Sequence, residues 1–384
     1  MKLLKLTLEG MPHFHNTLDI DFVAQQRVND DDKKRLFNVF SNIYVNKAIS
    51  FVGINASGKT TILKALSFAM KMLNNEAINN IESKEILNDL DYGETITVTL
   101  YFFDGFSVNK LETFIEKEVN SIDGSQKFVI SDENLWSKDI SRIKTKKSIF
   151  DFKDCDLKEK RNQKEQYLMD DVSIIVAVNK KNNSGFFVRD MLEWTDHNMI
   201  NVLGQFPKEL LTFLDPSIEY LKCNLEEKKV DIRLKFYGKD EVMMNSPVIL
   251  ENYLSSGTIK GLGVFMSAVF AFIEGGYLII DEIENHFNRE IVATLIRFFM
   301  DSKVNKNGAT LLYSTHYSEL LDEFDRNDGI YIVKNEDGIF AENLSNILKR
   351  NDIKKSEVYD SGYLGGTVPA YEAYMALKKV LLRV

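Results

Sequence analysis

The sequence predicts an α/β fold, a parallel-rich sheet wrapped by helices and interrupted by an inserted α+β segment. Three observations predict it. Gly53-Ile54-Asn55-Ala56-Ser57-Gly58-Lys59-Thr60 fits GxxxxGK(S/T) and lies between an apolar run, Ala48–Val52, and a helical pattern reaching Leu73. After about residue 250, short apolar strands alternate with helix patterns, as a parallel sheet with helical crossovers requires. Between these ends lie roughly 150 residues with no readable motif, near the usual size of a domain.

The elements follow in order. Residues 2–9 alternate like a strand, and Leu18–Phe22 do the same. A polar loop, Asn29–Arg35, separates them from the Ala48–Val52 strand. Glu94–Phe103 alternates in a β pattern and is expected to pair with Lys110–Val119. The window 138–164 holds ten Lys/Arg against five Asp/Glu and is expected to be an exposed, mobile stretch. Helical patterns fall at Leu168–Val178, Phe187–Trp194 and Lys208–Leu214, and strands at Ile218–Leu225 and Val230–Tyr237. The α/β rhythm then resumes with a helix over Gly257–Ile273, a strand over Tyr277–Asp281 and a helix over Phe287–Met300. Strands at Ala309–Tyr313 and Gly329–Val333 and a closing helix over Ala370–Leu382 complete it. The expected division is 1–103 and 250–384 for the two parts of one nucleotide-binding unit, with 104–249 inserted between them.

Bulk properties narrow the classes. The chain has 384 residues, 44% hydrophobic and 27% charged, which is ordinary globular composition. Two cysteines, Cys155 and Cys223, indicate no disulfide framework and suit a reducing cytosol. The start lacks a signal-peptide core, and no apolar run is read as reaching the ~18 residues of a membrane span. Leu262–Phe272, the most apolar window, reads as a buried helix. A net charge of −9 argues against a global pull toward nucleic acid and leaves room for a local patch.

Chemistry concentrates at the glycine loop. Gly53 and Gly58 permit backbone angles that turn successive N–H groups around an anion. Asn55, Ala56, Ser57 and Thr61 fill out the loop and the first helical turn, whose dipole favours phosphate. Lys59 brings a positive charge to the β/γ-phosphates of ATP, and Thr60 offers a hydroxyl to Mg²⁺. Tyr277-Leu278-Ile279-Ile280-Asp281-Glu282 is an apolar strand ending in two carboxylates, which a parallel sheet sets beside the loop. Asp281 is assigned to Mg²⁺ through a bound water, and Glu282 to polarising the attacking water.

Tyr253-Leu254-Ser255-Ser256-Gly257-Thr258, before a long helix and upstream of that strand, resembles the LSGGQ signature of ABC-type ATPases, here LSSGT. An ordinary serine N-cap is the plain alternative. The resemblance implies that Ser255, Ser256 and Gly257 face the γ-phosphate held by a second copy, so that ATP joins two heads. It also makes His316, at the end of Leu311-Leu312-Tyr313-Ser314-Thr315, the histidine that senses the γ-phosphate. With Lys59 and Glu282 it completes the catalytic set. Asp281-Glu282-Ile283-Glu284-Asn285-His286-Phe287 is similar to the DEPExHLHP segment of the OLD and RecF-like ATPases, matching at Asp281, Glu282, Glu284 and His286. By that resemblance Glu284, Asn285 and His286 couple two heads; a metal pair of Glu284 and His286 is the weaker alternative. Tyr363-Leu364-Gly365-Gly366-Thr367-Val368-Pro369 looks like the closing segment of bacterial abortive-infection AAA-type ATPases, or a simple glycine turn. No Q-loop is recognised among Gln126, Gln163, Gln166 and Gln205.

The expectation is therefore a P-loop NTPase head of ABC-ATPase type with an inserted α+β segment. It would bind ATP and Mg²⁺, hydrolyse slowly, and work as a homodimeric or larger nucleotide switch. The resemblance places it in bacterial anti-phage defence. By the same resemblance a separate toxin or nuclease is expected as effector; the ~70 residues after His316 leave no room for the ~100–200-residue nuclease domain that OLD nucleases carry there. Two alternatives stand beside it, a RecF/SMC-like DNA-repair ATPase and a nucleotide-gated scaffold with little turnover. Arg142, Lys144, Lys146, Lys147, Lys160 and Arg161 are the candidate nucleic-acid contacts, against the reading of a solvated loop.

Overall fold

A computed structural model describes all residues except 120–125, 163–167, 183–184, 193–203, 227–228, 286, 366, 368–370 and 383–384. Along the chain run β1 (Lys2–Glu9), β2 (Leu18–Asp21), β3 (Leu36–Phe40), β4 (Ile43–Asn46), β5 (Ala48–Val52) and α1 (Lys59–Leu73). Next come β6 (Thr95–Phe103), β7 (Ser107–Val119), β8 (Gln126–Asp139), β9 (Leu157–Lys160), α2 (Ile175–Asn182) and β10 (Val188–Met191). β11 (Gly204–Gln205), α3 (Lys208–Leu214), β12 (Ile218–Glu226), β13 (Lys229–Phe236) and β14 (Val242–Met244) follow. The chain then forms α4 (Ser256–Glu274), β15 (Tyr277–Ile280), α5 (Arg289–Met300), β16 (Thr310–Thr315), β17 (Ile330–Asn335) and β18 (Ile339–Asn343). Three helices close it, α6 (Leu344–Ile347), α7 (Lys355–Asp360) and α8 (Tyr371–Leu381).

The predicted α/β class is the class observed. One sheet has the order β10-β15-β16-β5-β17-β18, parallel except for β18. Its central strands β5, β15 and β16 are buried along their whole length, so each reads as a continuous apolar or small-residue run rather than an alternating one. A second, antiparallel sheet has the order β2-β1-β6-β7-β8-β9, and α1 lies in the apolar layer between the two. A smaller sheet, β11-β12-β13-β14, packs with α3 on the first half of α4. The expected boundary at 103/104 falls in the turn between β6 and β7, inside one sheet, and β10 from the expected insertion joins the parallel sheet.

Four local expectations change, the first being that the helix read over Leu168–Val178 begins only at Ile175, as α2. The helical pattern over Phe187–Trp194 is, in its described part, the edge strand β10, whose partner is Tyr277–Ile280. So short an apolar run carries no decisive period, and pairing with a buried strand decides it. The described part of the stretch 138–164, residues 138–162, packs on the body of the protein rather than standing off it as a mobile arm. Ile143 and Ile149 are buried, with Phe150 and Phe152 packed beside them, and the Lys138 ammonium bonds the carbonyls of Ser148 and Asp151. Lys138, Arg142, Lys146, Lys160 and Arg161 find partners within the chain, which composition alone does not reveal. α4 is long and apolar enough to cross a membrane by length and composition. Its buried apolar side chains are divided between two cores, Ile259 and Leu262 toward the small sheet and Val264, Ala268 and Ala271 toward the parallel sheet, while Val269, Phe270 and Ile273 are exposed. Part of the glycine-rich tail is described. Leu364 is buried, and the Thr367 hydroxyl donates to the Tyr359 carbonyl at 2.8 Å.

The two large sheets are fastened at the first residues. The Lys2 ammonium donates to the carbonyls of Gly275 (2.5 Å), Asn307 (2.9 Å) and Gly308 (2.6 Å), and the Leu3 amide donates to the Tyr277 hydroxyl at 2.7 Å. These carbonyls end α4 and precede β16. Hydrogen bonds to a charged group each contribute about 1.5–3 kcal/mol. Burial of the ammonium, which lowers its pKa to about 8, offsets much of that, so the Lys2→Met variant is expected to lose on the order of 2–3 kcal/mol in urea denaturation, with no loss of α/β signal in the folded baseline.

Candidate nucleotide site

β5, β15 and β16 are adjacent parallel strands, so their C-terminal ends open on one edge of the sheet. Open α/β sheets bind ligands at that edge. The glycine loop leaves β5 there and enters α1. Gly58 caps α1 with φ +98°, and a Cβ on it would lie 2.6 Å from the Ile339 side chain. A Cβ on Gly53 would lie 2.4 Å from the Val333 carbonyl oxygen and 2.5 Å from the Ser57 hydroxyl. Both glycines are thus required by the packing of the loop against β17 and β18. Asn55 and Ala56 stand exposed at the loop's tip, Ser57 is buried behind it, and Thr61 is half-buried in the first turn of α1. The first N–H groups of α1 have no partner within the helix. The Gly58→Ala variant is expected to lose on the order of 1–3 kcal/mol in urea denaturation, because the methyl group meets Ile339 at an unfavourable φ.

Lys59 curls back along the loop. Its ammonium donates to the carbonyls of Gly53 (2.9 Å) and Ile54 (3.0 Å) and lies 3.4 Å from His316 Nδ1. Burial holds this amine below the usual lysine range, opposed by the nearby carboxylates of Asp281, Glu282 and Glu284. The Thr60 hydroxyl donates to Asp281 Oδ2 at 2.6 Å. A hydroxyl and a carboxylate oxygen, both hard donors and side by side, fit a small divalent cation such as Mg²⁺.

Glu282 follows Asp281 in the left-handed region, with φ +44°. Its amide donates to the Ser314 hydroxyl at 2.7 Å, and its Oε2 accepts from Asn285 Nδ2 at 2.6 Å. Glu282 Oε1 lies 3.5 Å from His316 Nε2. The His316 ring therefore stands between Lys59 and Glu282, while its backbone amide donates to Glu284 Oε1 at 2.6 Å. Glu284 is buried, and its Oε2 has no hydrogen-bond partner among the described residues.

The residues expected from the glycine loop, Asp281, Glu282 and His316 thus meet at one place, although they come from three separate segments. The signature-like residues start a different element, α4. Ser255 is the N-cap of α4. Its hydroxyl accepts from the Thr258 amide at 3.1 Å and lies 2.8 Å from the Thr258 hydroxyl, the plain role weighed for it. Ser256 and Gly257 form the first turn of that helix. Glu284 and Asn285, expected to face a second head, bond His316 and Glu282 of their own chain, and His286 lies outside the described residues. No group of three or more His, Cys, Asp and Glu side chains that could hold a metal occurs among the described residues.

Sequence reasoning missed Ser314 and the bond from Glu284 to His316. Ser314 is fully buried, and its hydroxyl donates to Asp281 Oδ1 while accepting from the Glu282 amide. The only signal was a small hydroxyl residue where an apolar strand ends.

The candidate nucleic-acid contacts are largely engaged elsewhere. Arg142 pairs with the buried Asp156, Lys160 with Asp132, and Arg161 with Glu133 and the carbonyls of Met169 and Val172. Lys146 reaches the Ala24 carbonyl.

Residues 5–252 match the AAA domain family. No curated protein matches the sequence. Among solved structures, the SMC head domain from Thermotoga maritima is similar at 13% identity and a TM-score of 0.43, over 89% of this chain and 99% of that one.

Proposed function

This chain belongs to the AAA domain family, and on that premise we propose that it binds ATP with Mg²⁺ at the glycine loop and hydrolyses it slowly. One observation carries the reading. Lys59, His316 and Glu282 form one chain of contacts, and the neighbouring Thr60 and Asp281 form a second, at the edge where phosphate-binding N–H groups begin α1. Each has a distinct task. Lys59 exchanges its carbonyl partners for phosphate oxygens and offsets their charge. Thr60 and Asp281 would hold Mg²⁺, which supplies charge neutralisation between the phosphates when bound. Glu282 accepts a proton from water, and His316 donates to the γ-phosphate from beside both of them.

The reading extends to a dimeric switch. α4 presents a serine-capped N-terminus, and a second copy's γ-phosphate would sit against it, so that hydrolysis releases the pair. The sequence resemblance to abortive-infection ATPases supports a role in anti-phage defence with a separate toxin or nuclease effector. A RecF/SMC-like DNA-repair role predicts DNA-stimulated hydrolysis that weakens steeply with salt. The internal pairing of Arg142, Lys160 and Arg161 favours the switch over it. The deciding experiment follows phosphate release from ATP with Mg²⁺, with EDTA, and with single- or double-stranded DNA. Mg²⁺-dependent release indifferent to DNA supports the switch; stimulation by DNA moves the assignment to repair; no release in any condition removes the ATPase.

A further inference from the structure

We infer that Ser314 is a positioning residue that sets the metal-binding carboxylate and the water-activating carboxylate together, through one hydroxyl. The inference rests on the ATPase reading above and goes beyond it to a residue that no motif identifies. The Ser314 hydroxyl donates to Asp281 Oδ1 and accepts the Glu282 amide at 2.7 Å. Its carbonyl accepts the Ile283 amide at 3.1 Å. One further bond, His316 amide to Glu284 Oε1, completes a clamp between the ends of β15 and β16, and Asn285 Nδ2 holds Glu282 Oε2 within the segment after β15.

The clamp has a physical purpose. Asp281 has two carboxylate oxygens, and Thr60 occupies Oδ2. A donor on Oδ1 fixes the rotation of the carboxylate, so that Oδ2 keeps facing Thr60. Glu282 has a left-handed φ of +44°, a strained conformation for a non-glycine residue that persists only when neighbours hold it. The Ser314 hydroxyl holds the amide of that residue. Ser314 is 0% exposed, so water cannot replace the hydroxyl. Without it, the buried Asp281 loses a donor and the Glu282 amide loses its acceptor at once. Residues that orient metal ligands from behind typically contribute 10–100-fold to metal affinity or activity.

The test uses the full chain with Ser314→Ala and Ser314→Thr. The readouts are phosphate release over a range of ATP and Mg²⁺ concentrations, and Mn²⁺ binding to the ATP-loaded chain by loss of the free-ion electron-spin signal. Ser314→Ala is expected to lower kcat ~10–100-fold and to weaken Mn²⁺ binding ~10-fold, with KM for ATP within about 3-fold. Ser314→Thr keeps a hydroxyl on a strand and should restore most of both. If Ser314→Ala does not fold, Ser314→Cys takes its place, with a thiol too weak a donor to restore Mn²⁺ affinity. Wild-type kcat and wild-type Mn²⁺ affinity in a folded variant lacking the hydroxyl overturn the inference alone. A wild-type chain that neither binds Mn²⁺ with ATP nor releases phosphate overturns the ATPase reading and the inference with it.

Discussion

The Glu282→Gln variant is expected to release phosphate ~10²–10⁴-fold more slowly than the wild-type chain while still binding ATP. The geometry explains why the two effects separate. The hydrogen bonds and ion pair of Glu282 go to Ser314, Asn285 and His316. The Thr60 hydroxyl and the Lys59 ammonium bond Asp281 and the loop carbonyls, so the phosphate cradle survives the loss of the Glu282 charge. Its carboxylate is the one partly open to solvent, at 43% exposure, whereas Asp281 is 7% exposed and Glu284 is equally buried. Glu282 is thus the carboxylate that incoming water can reach. An amide at this position has nearly the same shape and can still meet Asn285, but it cannot accept a proton. Under the switch proposal the same variant accumulates an ATP-stabilised particle of twice the mass, visible by light scattering. Equal rates for the variant and wild type would remove Glu282 from the chemistry.

Lys59→Ala is expected to lose ATP binding by at least ~10–10²-fold in Kd, the worth of one or two charge-assisted hydrogen bonds to phosphate. Thermal unfolding reads this directly. A ligand at 100 times its Kd stabilises the native state by about 2.7 kcal/mol, so wild-type chain shifts upward with ATP and the variant does not. Without nucleotide the two chains should unfold at similar temperatures. Removing Lys59 costs two bonds to the carbonyls of Gly53 and Ile54 but also removes a charge that burial disfavours. A variant that still shifts with ATP as the wild type does would place the nucleotide elsewhere.

Much of this site was legible in the sequence because its parts are written locally. Gly53 and Gly58 are fixed by backbone angles and clearance, Lys59 and Thr60 follow the second glycine directly, and Asp281-Glu282 end an apolar run. Such features survive translation into a string. What was not legible depends on pairing between distant segments. Ser314 is a serine in a buried strand, and only the register of β15 against β16 brings its hydroxyl to Asp281. Glu284 read as an interface residue because the sequence cannot say that its carboxylate turns inward to the His316 amide. The same reasoning explains the stretch 138–164. Its basic residues look solvated until Asp156 is seen to meet Arg142, Asp132 to meet Lys160 and backbone carbonyls to meet Lys138. At β10, four residues long, the strand exists because Tyr277–Ile280 offers an edge, not because its own pattern demands it.

The central claim is that loop, carboxylates and histidine surround one triphosphate. A crystal structure of the Glu282→Gln chain grown with ATP and Mg²⁺ tests it most directly. The account predicts the γ-phosphate between Lys59 and His316, with the metal beside the Thr60 hydroxyl and the Asp281 carboxylate. Nucleotide bound away from the glycine loop, or a metal held by other side chains, would contradict it.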